Sequence, residues 1–287
     1  MSTPRLALAA WVAVAAAGWV AGARALDDRA APATTVATAA MWLLWGAVLV
    51  TLIVPSTVGL TVVRMLAPLA AAAAVTIWIC GAGAWRGPLL FGSVAVFAAL
   101  VFSADLGQSF VQASAYGDEQ RLLLRAPAAL IPALVVSWTL WAATTVSGIV
   151  FLAAQRWLIG ALLSALAVGL GVVLLPRAHQ LSRRWLVLVP TGVVVHDPTV
   201  LADTFMVTKP KVARVRLAEA DTEAADLSGP AAGHLVEVSL KGMETVVLAG
   251  TRAKPAGTAL HVQSFLVAPS RPGRALEAAA AGRLTVG

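Results

Sequence analysis

Residues 158–175 read LIGALLSALAVGLGVVLL and residues 176–196 read PRAHQLSRRWLVLVPTGVVVH. The first string carries no charge and has the length a helix needs to cross a hydrocarbon core of roughly 30 Å. The second begins with Pro176, passes Arg177, His179, Arg183 and Arg184, and continues as two β-branched runs, Trp185–Val189 and Val193–His196. Between the runs lie Pro190, Thr191 and Gly192, where Pro starts a turn and Gly suits a position with φ > 0. The chain therefore changes physical class near residue 176. A transmembrane helical domain over 1–176 precedes a β-rich soluble domain over 177–287.

Upstream, five more apolar runs repeat the pattern of 158–175. They cover about Leu6–Ala23, Thr38–Val54, a third run after Pro55 and Ser56 reaching Ile79, Pro88–Phe102 and Pro127–Leu152. The expected fold class is a polytopic α-helical membrane protein of about six spans with a C-terminal β-rich domain. Composition agrees: 59% of the chain is hydrophobic and 12% charged, against about 25% charged in soluble proteins. Residues 1–176 hold eight Arg, five acidic residues and no Lys. The net charge of +7 divides as +3 over residues 1–176 and +4 over residues 177–287, with no block of like charge on one element, which excludes a nucleic-acid footprint. Cys80 is the only cysteine, so an internal disulfide and a cysteine zinc site are excluded, and inside an apolar run it reads as a small core residue.

Orientation follows from the Lys/Arg bias. With the N-terminus inside, Arg5, Arg64, Arg121, Arg125, Arg177, Arg183 and Arg184 are cytoplasmic, against Arg24, Arg29, Arg86 and Arg156 outside. This predicts a multi-pass plasma-membrane protein with both termini cytoplasmic. Trp19, Trp42, Trp45, Trp78, Trp85 and Trp157 fall near the first, third and fifth loops, as interfacial anchors do. The first span has a rival reading as a cleaved signal peptide with Arg5 as its charged start and a small-residue site at 21–25.

Three groups of residues are candidates for function. Asp105, Gln108 and Gln112 share one helix face at the polar exit of the fourth span. With Arg64, which must snorkel or face the interior, they form a candidate intramembrane or interfacial polar site. Tyr116, Asp118, Glu119, Arg121 and Arg125 form a loop tied by ion pairs, a candidate contact between domains. Arg177, Arg183, Arg184, Lys209, Lys211, Arg214 and Arg216 are candidate contacts for anionic inner-leaflet lipids. His196-Asp197-Pro198 reads as a strand end running into a turn.

Further strands are expected at Thr204–Thr208, Val212–Leu217, Leu235–Leu240, Thr245–Leu248 and Leu260–Ala268, with a helix from Pro272 to Gly282 and a solvated loop over Glu219–Asp226. An aromatic-led first strand, a Gly turn, the Phe205-Met206-Val207 and Lys211–Val215 segments and the closing helix together resemble bacterial PH-like domains over residues 184–282. The membrane half resembles six-span actinobacterial-type proteins. A basic β domain on the cytoplasmic side, with no catalytic constellation in the chain, points to a scaffolding or regulatory role at the inner leaflet or on a protein partner. No His-Glu-x-x-His, Gly-x-Ser-x-Gly or phosphate-cradling Gly loop occurs. The expectation is a non-enzymatic protein without cofactor, metal or nucleic acid. The alternative is a small transporter or channel using the polar face of the fourth span.

Overall fold

A computed structural model of the chain describes residues 2–250 and 257–287. Two compact units result, each discontinuous in sequence. One holds residues up to Ser109 with Leu134–Ala178, and the other holds Phe110–Ala133 with His179–Gly287.

The helical unit contains α1 (Thr3–Leu26), α2 (Ala31–Ile53), α3 (Thr57–Ile77), α4 (Arg86–Val101) and most of α5 (Ala104–Gln112), α6 (Leu130–Ala153) and α7 (Trp157–Ser182). Five of these helices are long and apolar enough to cross a membrane, and α4 with α5 makes a sixth if the pair is one span. Pro in the first turn starts α1 and α2, where a missing N–H costs nothing. Ser56 starts α3, its Oγ accepting from the Gly59 N–H at 2.9 Å. The α4–α5 pair is bent by 56°. Ser103 makes the break, since its Oγ accepts the Leu106 N–H and begins a new helix.

Tryptophans fasten this unit through their indole N–H groups, which need partners in apolar surroundings. Trp11 and Trp45 each donate to the other's backbone carbonyl, at 2.9 and 3.3 Å, stapling α1 to α2. Trp11 also packs on Phe97 of α4, ring centroids 4.4 Å apart. Trp138 of α6 donates to the Met65 carbonyl of α3 at 3.0 Å. The end of α3 loosens into a π turn, Trp78–Ala82, with Gly81 at φ 111°. Cys80 lies in that turn and is exposed, which corrects its reading as a core residue.

The β unit has two four-stranded sheets. The first runs β1 (Gln120–Leu123), β2 (Trp185–Val189), β3 (Gly192–His196) and β4 (Phe205–Thr208), all antiparallel. The second has the order β5 (Val212–Leu217), β7 (Val236–Leu248), β8 (Thr258–Val267) and β6 (Ala225–Asp226), the last pairing parallel to β8. α8 (Pro272–Ala281) follows β8. Period-two alternation puts Leu122, Leu186, Leu188, Val193, Val195, Phe205 and Val207 on the inner face of the first sheet. They pack on Val215, Val236, Val238, Val262 and Phe265 of the second. Phe205 and Phe265 meet edge to face at 5.4 Å across the core, and Ala275 and Ala279 of α8 are buried in the same cluster.

Three sequence expectations change. The runs at 235–240 and 245–248 are one strand, β7, whose register shifts between Ser239 and Glu244, so a bulge replaces the expected loop. Ala225 and Asp226, expected in a loop, pair with Phe265 and Leu266. Gly192 does not have positive φ. What requires glycine there is the close approach of β4, because a Cβ on residue 192 would stand 2.1 Å from the Val207 carbonyl oxygen.

The main topological finding is β1. Its four residues pair with Leu188 back to Trp185, although α6 and α7 intervene in the chain. Beyond β1, the Leu124 N–H donates to the Arg184 carbonyl at 3.0 Å and the Arg125 N–H to the Ala268 carbonyl at 2.8 Å. The segment 120–125 thus edges the first sheet and crosses to the end of β8 in the second. The α6–α7 hairpin is inserted between the first two strands of the β unit.

Candidate functional site

Arg184 and Asp197 decide the character of the β unit's interior. Both are fully buried. Arg184 immediately precedes β2 and Asp197 immediately follows β3, so the pairing of Trp185 with His196 brings them to one corner. Arg184 Nε donates to both Asp197 carboxylate oxygens at 2.9 and 2.8 Å, and Nη2 lies 2.6 Å from Oδ2. Its Nη2 also donates to the Ser228 carbonyl at 2.8 Å, and Nη1 donates to the Arg125 carbonyl. Asp197 Oδ1 accepts from the Thr199 N–H and hydroxyl at 3.0 and 2.7 Å. One guanidinium therefore ties the end of β1, the start of β2, the end of β3 and the loop after β6. This corrects two expectations. Arg184 is no lipid contact, and Asp197 is a buried partner rather than only a turn residue.

The loop before β1 is equally specific. Gln112 at the end of α5 donates from Nε2 to the Glu119 carbonyl at 3.0 Å and accepts the Arg121 N–H on Oε1 at 2.9 Å. Its amide acts as a one-residue substitute strand on the open edge of β1, which such edges need. The Glu119 carboxylate accepts from the Tyr116 N–H at 2.6 Å and from Arg121 Nε at 2.8 Å. Tyr116 is 89% exposed, and Asp118 is exposed. Arg125 reaches the His234 carbonyl, beside Gly233, whose φ of 91° favours glycine. The expected loop over 116–125 is therefore partly a strand, and Gln112 belongs to its edge rather than to a polar path. Asp105 and Gln108 share α5 with it, while Arg64 stands on α3 with a buried Nε that has no hydrogen-bond partner.

On the outer face of the first sheet Arg121 lies 5.2 Å from the Trp185 ring, which stacks on His196 at 5.0 Å. His196 Nδ1 is 2.9 Å from Thr204 Oγ1. Burial, then Arg183, holds the His196 pKa below its ordinary value; Asp197 opposes this and Arg121 adds to it. A His whose folded pKa lies below its unfolded one takes up protons on unfolding. Its contribution to stability is full above the unfolded value near 6.5 and is lost as pH falls through the folded one. The unfolding midpoint of the full chain is therefore expected to drop between pH 7 and 5. In His196→Gln the drop should be smaller; equal slopes in parallel thermal melts would refute the linkage.

The basic surface is smaller than the sequence suggests. Lys211 pairs with Glu244 at 2.6 Å, and Arg216 bridges Glu219 and Glu237. These carboxylates come from loop and neighbouring-strand positions that linear spacing did not connect to the basic residues. Arg177, Arg183, Lys209 and Arg214 remain without an ion pair among the described residues. Arg177 uses Nη1 on the Val173 carbonyl. Among the described residues no group of three His, Cys, Asp or Glu side chains could hold a metal.

No known protein family, curated protein or solved structure matches the chain. Its functional reading rests on its own geometry.

Proposed function

We propose that the chain is a non-enzymatic integral membrane protein, with scaffolding or regulatory work done by a PH-like domain held at the inner leaflet. The observation that carries this reading is the insertion of the α6–α7 hairpin between β1 and β2. A domain whose adjacent strands enter and leave two membrane-length helices is anchored by two chain connections rather than by a single linker. Two sheets around one core with a closing helix support the PH-like reading. Lys209, at the turn end of the β2–β3 hairpin, and Arg214 on β5 supply basic groups for an anionic surface, and Arg183, at the hairpin's opposite end, supplies one beside α7, each contributing about 1 kcal/mol near headgroups.

The test uses full-length protein in a Cys80→Ser background, labelled with an environment-sensitive dye at Lys209→Cys and reconstituted in vesicles. Dye emission is expected to shift to the blue when phosphatidylglycerol is added to phosphatidylcholine, and to return with salt. Identical spectra in neutral and anionic vesicles would remove the inner-leaflet docking. Release of the chain by alkaline carbonate would remove the integral-membrane reading itself.

A further inference from the structure

The helical unit closes tightly at one end and opens at the other. At the closed end Trp138 is bonded to Met65, and Val48 and Leu52 are the only buried residues among the 23 of α2. Towards the other end α1, α2, α3 and α6 surround an apolar groove of about 310 Å³. Ala33, Ala37, Ala73, Ile77 and Val150 line it, and the small side chains of α2 and α3 leave the width. Along α2 it extends from Ala33 to Leu44, and along α3 from Leu69 to Cys80. Either stretch measures about 16 Å at 1.5 Å per residue. That is the depth of one leaflet, half of a hydrocarbon core of roughly 30 Å.

The mouth carries a cation. Arg29 lines the groove and donates from Nη2 to the Cys80 carbonyl at 3.0 Å. That carbonyl is available because the α3 end unwinds at Gly81. Arg29 has no ion pair among the described residues, whereas its neighbour Asp27 is engaged by Arg24 at 2.7 Å. Asp28 lines an adjoining cavity that shares Gly22, Leu26, Met41, Leu44 and Ile77 with the groove. α2 begins immediately beyond Arg29 with no side-chain cap on its first turn, so unsatisfied N–H groups add to the positive potential there.

We infer that this groove binds one acyl chain of an anionic phospholipid, with the phosphate held at Arg29. Depth, apolar walls and a single cation at the mouth match such a molecule, and a headgroup without a chain would leave the walls uncovered. The inference rests on the integral-membrane reading above.

Full-length protein is reconstituted in vesicles of four parts phosphatidylcholine to one part phosphatidylglycerol, washed with carbonate, extracted in mild detergent and weighed by native mass spectrometry. The wild type is expected to retain one phosphatidylglycerol per chain, enriched about fivefold over the vesicle ratio, the value of one basic residue at a surface. Arg29→Gln should keep a lipid but lose the enrichment. Ala37→Trp, which fills the groove, should lose lipids of both kinds. Retention at the vesicle ratio by the wild type, or enrichment unchanged in Arg29→Gln, overturns the inference. So does undiminished retention in Ala37→Trp. Should Ala37→Trp fail to give a monodisperse protein, the Arg29→Gln comparison decides alone. A wild-type chain that stays in the membrane without bound lipid overturns only the groove; a chain that washes off overturns both readings.

Discussion

Residues 179–287 expressed without residues 110–133 are expected not to fold, although they contain seven of the eight strands among the described residues. Without β1, the core loses Leu122 and Leu124, which are 5% and 3% exposed in the intact chain. Each is worth about 1.5–3 kcal/mol of burial. Leu186 loses its cross-strand neighbour Leu122, and the edge of β2 loses a four-residue ladder. The Ser270 N–H loses the Leu123 carbonyl, and Arg184 loses that of Arg125. Together these losses are comparable with the roughly 5–15 kcal/mol that holds a typical domain folded. A chimera joining residues 112–126 to residue 184 through a short Gly/Ser linker is expected to recover a cooperative melt and sheet circular dichroism. Equal cooperativity in the fragment lacking β1 would show that the strand only decorates the sheet.

Arg184→Leu in the full chain is the second large effect. The substitution leaves the Asp197 carboxylate buried with only Thr199 for company, and strips the Ser228 and Arg125 carbonyls of their donor. Breaking one side of a buried pair costs about 3–5 kcal/mol, because the remaining charge is uncompensated. Arg184→Lys should lie between this variant and wild type, since an ammonium cannot serve four acceptors in the guanidinium's planar geometry. The double variant Arg184→Met with Asp197→Leu should be more stable than Arg184→Leu alone, as it leaves no buried charge. Denaturant melts of the β-sheet signal, with limited proteolysis of residues 110–133 and 179–287, measure all three. A loss under about 1 kcal/mol in Arg184→Leu would mean that water reaches the corner and the pair is not buried.

Legibility in the sequence followed the range of the interaction. The strands β2 to β5 were readable because β-branched runs and their turns are local signals. β1 was not, because Gln120–Leu123 is too short to show a period and its partner lies beyond two helices. Gln112 was read as a helix-face residue, yet what it does depends on the open edge of β1. Arg184 looked like one of several basic residues after a span; its burial follows from Asp197, Ser228 and Arg125 converging on it. Lys211 and Arg216 lost their place on the basic surface for the same reason, since Glu244 and Glu237 come from another strand.

By itself the sequence determined the class of each half, five of its six expected membrane-length runs, the alternation of the main strands and the absence of familiar catalytic motifs, while the sixth run became the 16-residue α4 with the bent α5 behind it. These depend on hydropathy and turn chemistry, which neighbouring residues settle among themselves. Only the tertiary structure decided that the β unit is split around the α6–α7 hairpin, that Arg184 is an internal tie, and that an apolar groove about 16 Å long ends at Arg29. Strand partners, desolvation and voids arise where distant segments meet, and the free energy of such meetings is carried by no single stretch of the chain.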